Sequence, residues 1–387
     1  MRVAMIITRS DIIGGASIYV RDLCVALPRR GVDVTAIVGG NGIYLDDLRA
    51  HDIPFEVIDH FKREISPSSD VRAYRSLCAT LRRLNVDLIA AHTSKSGALA
   101  RLAGRSLGIP VVYTPHCWAF EDEAKRKATI YYLAERALAS LPGVIVNVSH
   151  HERKLALQRH IGRTDTHVTI HNGVPDVPPD LLADPRRQPP ELIMVARFEP
   201  QKDHFTLLEA LEGLTELPWT ATLVGNGPLE QRARAWVQSH GLADRIFLPG
   251  AQPNVDALLG RAQIYVLMSN WESLPLTVLE AMRAGLPVVV SGVGGVPEVV
   301  AHGASGYVVN RGDASGLRER LETLIRSPEM RGHFGASGRE LYLQEFTHER
   351  MLDRLEALYG SVLASNGPRR PGHSMKKAIG AVRASRN

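Results

Sequence analysis

The sequence has 387 residues, of which 44% are apolar and 22% charged, and its formal net charge is +5. This length suits about two domains, and the mild positive charge does not by itself indicate nucleic-acid binding, since no helix interleaves arginines with aromatic residues. Three scattered cysteines without a Cys-x-x-Cys spacing argue against a disulfide framework and a zinc site. The first apolar run is too short for a signal peptide, and no stretch approaches the ~20 apolar residues of a membrane span. We therefore expect a cytoplasmic protein.

The first half of the chain alternates short apolar strands with amphipathic helices. The strand "VAMIIT" is followed by the loop "SDIIGGAS", the helix "IYVRDLCVALPRR" and the strand "VDVTAIVGG", and the pattern continues with "VDLIAAHTS", "PVVYTPH" and "GVIVNVS". Apolar strands separated by helices predict a parallel sheet that is covered on both faces.

A Pro-rich stretch, "DVPPDLLADPRRQPP", interrupts this alternation before it resumes with strands such as "ELIMVAR", "ATLVGNG" and "PVVVSG". We predict a Rossmann-like domain over residues 1–178, completed by a C-terminal helix at about 346–365, a linker over 179–190, a second Rossmann-like domain over 191–345, and a basic, disordered tail over 366–387. A ligand is then expected in the cleft that the two domains face, at the carboxyl ends of the strands.

Two cations follow the first strand of the second half, in "VARFEPQKD". Arg197 and Lys202 project from one loop at a strand's carboxyl end. Arginine can donate to two phosphate oxygens at once, and lysine supplies a mobile point charge, so the pair suits a diphosphate. Read alone, the same residues fit a solvated surface loop.

The segment "NWESLPLTVLEAM" predicts a helix start with Pro275 in its first turn. Free amides at that start favour an anion. The amides expected to face the cleft belong to Leu274, Leu276 and Thr277. The carboxylates of Glu272 and Glu280 are good acceptors for vicinal hydroxyls, although a helix N-terminal acid and an exposed helix carboxylate are equally good interpretations of the isolated residues.

Glycine-rich turns follow several strands and allow the backbone to approach a ligand closely. They contain Gly14, Gly15, Gly225, Gly227, Gly294 and Gly295. The spacing Gly-x-Gly-x-x-Gly is missing, so a nicotinamide-binding fingerprint is not present.

Together, "GGAS", "TPHCW", "HNGVP", "VARFEPQKD", "LVGNGP" and "ESLPLTVLEAMRAGLPVVVSGVGGVPE" resemble the GT-B glycosyltransferases of family 4, which contain a Glu-x7-Glu motif. The resemblance extends from Gly14 to about Phe346. It implies an α/β chain of two doubly wound parallel-sheet domains facing a cleft. It also implies transfer from a nucleotide sugar with retention of anomeric configuration, without a metal or other cofactor. In agreement, no Asp-x-Asp follows an apolar strand; the close acids, Asp46-Asp47 and Glu121-Asp122-Glu123, resemble solvated helix starts.

The resemblance assigns roles residue by residue. Arg197 and Lys202 match the diphosphate-binding pair, Glu272 the acid that holds donor-sugar hydroxyls, and Glu280 the ribose ligand. His116 matches a first-domain histidine near the donor sugar, although a packed histidine is the alternative. The remaining donor-binding positions are Gly14, Gly15, Gly225, Asn226, Ser273, Leu274, Pro275 and Thr277.

The donor and acceptor are less well defined by the sequence. A UDP-linked hexose or N-acetylhexosamine is expected. The segment "AHTSKSGALARLAG" is similar to relatives that extend lipid-linked saccharides for surface polysaccharides, where Lys95 would meet an acceptor phosphate or simply begin a helix. Basic clusters at Lys62-Arg63, Arg82-Arg83 and Lys125-Arg126-Lys127, with the basic tail, favour peripheral contact with an anionic membrane; a solvated face is the alternative.

The same sequence features are compatible with other functions. A soluble aminocyclitol-type acceptor would fit the same features, and a UDP-sugar epimerase of the same fold would bind the donor without an acceptor. A donor-binding protein without catalysis would not need Arg197, Lys202 and Glu272 together, and a phosphorylase would need a pyridoxal-phosphate lysine that nothing singles out.

Overall fold

The computed structural model describes residues 1–62, 64–121 and 128–365. Arg63, the acidic and basic clusters within 122–127 and the tail predicted to be disordered over 366–387 lie outside the described residues. The chain divides into two compact units, one formed by Met1–His171 with the chain from Leu352 onward, the other by Asn172–Met351. The stretch predicted as a linker belongs to the second unit and contains a short 3-10 helix, Pro179–Leu181.

The first unit contains a seven-stranded sheet in the order β3-β2-β1-β4-β5-β6-β7. Every pairing among these described strands is parallel. The strands are β1 (Arg2–Ile7), β2 (Asp33–Gly39), β3 (Phe55–Ile58), β4 (Leu88–His92), β5 (Val111–Thr114), β6 (Val144–Asn147) and β7 (His167–Thr169).

The helices of the first unit connect these strands as crossovers. They are α1 (Gly15–Arg29), α2 (Ile43–Ala50), α3 (Pro67–Leu84), α4 (Ser94–Leu107), α5 (Ala128–Leu138) and α6 (His150–Gln158). From β1 the chain adds strands toward one edge of the sheet, as far as β3, and from β4 it adds strands toward the other edge, as far as β7. Because parallel crossovers are right-handed, α1 and α2 cover one face of the sheet, whereas α3, α4 and α5 cover the other.

The second unit contains a six-stranded parallel sheet in the order β10-β9-β8-β11-β12-β13. Its strands are β8 (Glu191–Val195), β9 (Thr220–Val224), β10 (Ile246–Gly250), β11 (Ile264–Leu267), β12 (Val288–Ser291) and β13 (Gly306–Val309). Its helices are α7 (His204–Glu212), α8 (Glu230–Ser239), α9 (Val255–Arg261), α10 (Leu276–Arg283), α11 (Ala314–Arg326) and α12 (Pro328–Glu345). The last described helix, α13 (His348–Ser365), belongs to the first unit from Leu352 onward.

Five strands are buried along their whole length, as expected where helices cover both faces of a sheet. All residues of β4, β5, β6, β11 and β12 are buried. The predicted class, an α/β chain with two Rossmann-like parallel sheets, is confirmed. Within the described residues, no helix combines the length and apolar character needed to cross a bilayer.

Candidate functional site

The second sheet reverses its winding between β8 and β11, which are neighbours in the sheet although β9 and β10 lie between them in the chain. A crevice forms at such a switch point, outside the carboxyl ends of the strands, and ligands commonly bind there. The loop after β8 carries Arg197 and Lys202, and the loop after β11 carries Glu272. The sequence motifs therefore meet at one edge of this sheet.

Lys202 and Glu272 form an ion pair with each other. The Lys202 ammonium donates to Oε1 of Glu272, which also accepts a hydrogen bond of 2.7 Å from the Ser269 hydroxyl. The two side chains are 20% and 7% exposed. The Oε1 atom of Glu272 thus has two donors, which hold the carboxylate in one orientation. The sequence predicted a phosphate partner for Lys202 and hydroxyl partners for Glu272; in this structure each is the other's partner.

Arg197 is paired more loosely. Its Nη2 atom lies 2.7 Å from Oε1 of Glu199, and about a third of each side chain is exposed. Ion pairs with this degree of exposure contribute about 0–1 kcal/mol. Arg197 can therefore exchange Glu199 for another anion at little cost.

The N-terminus of α10 lies directly after the loop that carries Glu272. The helix begins at Leu276, and Pro275 is its N-cap in an extended conformation, with ψ of 125°. The prediction that Pro275 lies in the first helical turn is therefore wrong by one residue: its fixed φ suits either position, and its extended ψ places it outside the helix. The first amides of the helix, including that of Thr277, lack intrahelical acceptors and lie at the positive end of its dipole.

Glu280 and Thr277 lie on α10 and are half-buried. Burial raises the pKa of Tyr265 beyond its usual range, and the negative charges of Glu280 and Glu272 add to that rise. Both carboxylates thus act on the same phenol. The two acids of the Glu-x7-Glu motif therefore share one neighbourhood, with Ser273 and Leu274 buried between them in the chain. The Leu274 carbonyl accepts from the Asn172 side chain at 2.8 Å.

The glycine-rich loops pack backbone against backbone around this edge. Gly225 has φ of +142°, and a Cβ there would overlap the Ala196 carbonyl oxygen. The Asn226 carbonyl accepts from the Phe198 amide at 2.9 Å, while the Asn226 side chain is exposed. These glycines are thus required by close loop packing, whether or not a ligand approaches them.

Gly294 lies against the backbone of the proposed donor-sugar acid. Its φ is +57°, and a Cβ added there would overlap the carbonyl oxygen of Glu272. The Gly295 amide, next in the chain, donates to the Ser273 carbonyl at 3.0 Å. The turn after β12 therefore supports the loop that carries Glu272.

Hydrogen bonds from Asn270 join the loop after β11 to the loop after β8. The sequence analysis did not identify this role. The Asn270 amide donates to the Gln201 carbonyl at 2.7 Å, and its side chain donates to the Pro200 carbonyl at 2.7 Å. Gln201 in turn donates to the Trp271 carbonyl at 2.9 Å, and Arg311 donates to the Asn270 side-chain oxygen at 2.7 Å. This set of hydrogen bonds fixes Lys202 opposite Glu272.

The first sheet has its own switch point, between β1 and β4. Gly14 is the N-cap of α1, and Gly15 is the first residue of that helix, in the loop after β1. No atom lies within 4 Å of a Cβ built at either position, so the backbone faces open space. That a ligand approaches these glycines stays a prediction.

His116 lies after β5 and forms a pair with His92 at the end of β4. His92 Nδ1 and His116 Nε2 are 3.0 Å apart, and the ring of Tyr19 packs 4.7 Å from that of His116. Burial lowers the pKa of His116 to about 3 and holds that of His92 well below its usual range. Both imidazoles are therefore neutral at pH 7, so one ring N–H donates and the other nitrogen accepts. The sequence analysis identified His116 but missed His92. The feature that could have revealed His92 is a polar residue at the end of an otherwise apolar, buried strand.

Lys95, the candidate acceptor residue, is engaged within the first unit. Its ammonium lies 2.6 Å from Asp70 Oδ1 and donates to the Glu64 carbonyl, and the side chain is 15% exposed. An acceptor phosphate would have to replace Asp70.

Comparison with known proteins identifies both halves of the chain. Residues 14–173 match the family model described as "Glycosyl transferase 4-like domain", and residues 183–341 match "Glycosyl transferases group 1". An N-acetyl-alpha-D-glucosaminyl L-malate synthase of Bacillus anthracis is 32% identical over 173 residues, which are 44% of this chain and 45% of the relative. The alignment thus spans less than half of that relative.

A second relative aligns over most of its length. It is the UDP-Gal:alpha-D-GlcNAc-diphosphoundecaprenol alpha-1,3-galactosyltransferase of Escherichia coli, 27% identical over 356 residues, 86% of this chain and 90% of the relative. Among solved structures, HepE of Anabaena, determined in complex with UDP and glucose, superposes with a TM-score of 0.80 at 21% identity, covering 93% of this chain and all of that one. This likeness identifies the fold.

Proposed function

The chain belongs to the family of GT-B glycosyltransferases with a glycosyl transferase 4-like domain and a group 1 domain, and we propose that it moves a hexose or N-acetylhexosamine from a UDP-sugar to an acceptor hydroxyl with retention of configuration. The observation that carries this proposal is the contact between Lys202 and Glu272 at the switch point of the second sheet, beside the N-terminus of α10. Cations, helix amides and an oriented carboxylate there suit a sugar diphosphate.

In the proposed reaction, the bond between the anomeric carbon and the diphosphate breaks, and negative charge grows on the leaving group. Arg197, Lys202 and the first amides of α10 stabilise that charge where it develops. Lys202 must then exchange Glu272 for phosphate oxygens, which leaves Glu272 able to accept hydrogen bonds from the donor-sugar hydroxyls. Glu280 holds the ribose.

A retaining glycosidase uses two carboxylates ~5–5.5 Å apart around the anomeric carbon, whereas the proposed site assigns its two acids to hydroxyls of the donor sugar and of the ribose. We propose that the acceptor oxygen attacks from the face that the diphosphate leaves, and that its proton passes to the leaving phosphate. The neutral His116, oriented by His92, polarises a donor-sugar hydroxyl. The proposed site uses protein cations and amides in place of a metal, so the reaction should run in EDTA.

The names of the relatives support two classes of acceptor. The Escherichia coli relative is named for a UDP-galactose donor and a lipid-linked diphosphate acceptor, which favours a lipid-linked saccharide in surface-polysaccharide synthesis, with the enzyme in peripheral contact with a membrane. The Bacillus anthracis relative is named for a malate product, which keeps a small soluble acceptor as the second candidate.

The direct test is release of UDP from UDP-glucose, UDP-galactose or UDP-N-acetylglucosamine, in EDTA, with and without a panel of saccharide, lipid-linked and small-molecule acceptors. We expect release that depends on the acceptor, and a product whose anomeric proton has the α coupling of the donor. Conversion of the UDP-sugar into a different UDP-sugar, without an acceptor and without release of UDP, would identify an epimerase. An inverted product would contradict the proposed same-face attack.

A further inference from the structure

Three neighbouring helices of the first unit carry an unusual balance of charge. Contacts join α3 to α4 and α4 to α5 on one face of the sheet. Together, the described residues of these helices include eight Lys or Arg residues and two acids. Both acids form ion pairs within these helices: Asp70 with Lys95 at 2.6 Å, and Glu135 with Arg101 at 2.6 Å.

The six cations that remain are all exposed. They are Arg72, Arg75, Arg82, Arg83, Arg105 and Arg136. One of them, Arg83, reaches Glu56 on β3 at 2.8 Å. Over the described residues of the three helices, the exposed charges are therefore all positive. The segment before α5, residues 122–127, contains two acids and three cations and lies outside the described part of the chain.

Large aliphatic side chains are exposed among these arginines. Ile130 and Leu133 on α5 are 54% and 55% exposed, and Leu102 on α4 is 40% exposed. Helical spacing places Ile130, Leu133 and the exposed Ala134 and Ala137 on one stripe of α5. The opposite face of this helix is anchored by the buried Glu135. The stripe is thus apolar without being part of the core.

We propose that the face formed by α3, α4 and α5, here named the arginine face, docks the protein on an anionic lipid bilayer. The aliphatic side chains of α4 and α5 would enter the boundary between headgroups and acyl chains, and the arginines would contact lipid phosphates. The exposed side chains among the arginines are aliphatic and small polar rather than aromatic, which favours a bilayer over a single-stranded nucleic acid, where bases stack on aromatic rings.

The arginine face gives the peripheral contact a location, and it depends on no part of the proposed sugar chemistry. Binding can therefore be measured without donor or acceptor. A failure to bind vesicles would leave the transferase proposal intact, and a failure of UDP binding would leave the arginine face intact.

The test is co-sedimentation of the full chain with sucrose-loaded vesicles of phosphatidylcholine, with and without a large fraction of phosphatidylglycerol, at low and high salt. We expect binding that requires phosphatidylglycerol and weakens with salt. Arg105→Glu with Arg136→Glu, and separately Ile130→Ser with Leu133→Ser, should each lower the partition coefficient about tenfold or more.

Matched controls come from the opposite face of the same sheet. Arg29 on α1 is exposed, and Ile43 on α2 is 56% exposed, so Arg29→Glu and Ile43→Ser should leave vesicle binding unchanged. A further full-chain variant replaces the six Lys and Arg residues of the tail, 366–387, with Gln. It should retain most of the binding.

Three results would overturn the proposal. The first is binding unaffected by the α4 and α5 substitutions. The second is a loss of vesicle binding in the Arg29→Glu or Ile43→Ser controls as large as in the α4 and α5 variants, or a loss of vesicle binding only in the tail variant. The third is a dimer in light scattering that the Ile130→Ser, Leu133→Ser variant dissociates, since the stripe would then bind a second copy of the chain.

Discussion

At the scale of single residues, the pairing of Lys202 with Glu272 defines the site in this structure. A largely buried carboxylate requires a partner, and here it has both an ammonium and the Ser269 hydroxyl. Removing one member of such a pair leaves the other charge buried without compensation. A diphosphate can replace Glu272 because it brings its own negative charge to Lys202.

A double-mutant cycle tests this coupling. Lys202→Met should lower the free energy of unfolding by about 3 kcal/mol, because Glu272 is left uncompensated. Glu272→Gln in the same chain should recover most of that loss, since Gln is neutral and can still accept from Ser269. Urea unfolding followed by tryptophan fluorescence measures all four proteins. Purely additive losses would show that the two side chains are not coupled.

The sequence predicted the positions of these residues along strands and helices better than it predicted their contacts. Arg197, Lys202 and Glu272 lie in segments that follow strands, and Glu280 lies on the helix that begins after Glu272. Such positions can be recognised from apolar periodicity. The pair Lys202–Glu272 joins residues 70 positions apart. The pair His92–His116 joins residues 24 positions apart. These pairs depend on strand order and loop geometry, which local patterns do not encode.

At the scale of elements, loops at the edge of the second sheet support one another. The turn after β12 packs against Glu272 through Gly294, and Asn270 joins the loops after β8 and β11. The alternation of strands and helices was predictable, because strands buried on both faces are continuous apolar runs. The loop contacts were not, since they are mostly backbone hydrogen bonds, which any residue type can make.

Gly294→Ala tests the role of the turn after β12. The added Cβ overlaps the Glu272 carbonyl, so the loop must move, and we expect at least a tenfold loss of UDP-sugar affinity together with a lower melting temperature. Isothermal titration and thermal unfolding measure the two effects.

Gly303→Ala is the matched control. Gly303 has a similar left-handed conformation, with φ of +78°, but no atom lies within 4 Å of a Cβ placed there. It should lose about 1–2 kcal/mol of stability from the backbone conformation alone and keep its affinity. Equal affinity in both variants would contradict the role given to Gly294.

At the scale of the whole molecule, buried histidines should make stability depend on pH. Burial lowers the pKa of His116 to about 3 and that of His167 and His204 to about 4. The folded chain keeps these rings neutral, while the unfolded chain takes up protons near pH 6.5. Their contribution is therefore complete above about pH 6.5 and is lost as the pH falls toward the folded pKa values.

Between pH 6.5 and pH 5 each such histidine should cost about 2 kcal/mol of stability. Melting temperatures measured from pH 8 to pH 5 should fall in acid, and His204→Leu should flatten that fall. His333 is exposed, so the control variant His333→Leu should show the same change of melting temperature with pH as the wild type. A melting temperature that rises toward pH 5, or one slope for all three proteins, would contradict this account.

The central claim is that the edge of the second sheet binds a nucleoside diphosphate through protein cations and amides. Isothermal titration with UDP in EDTA tests it most directly, using the wild-type chain, Arg197→Ala and Arg326→Ala. Arg326 forms a surface ion pair with Glu322 on α11 and serves as the matched control. We predict binding by the wild type and by Arg326→Ala, and a loss of about tenfold or more in Arg197→Ala. Absence of binding in all three folded proteins, or equal affinity in all three, would contradict the assignment of this site.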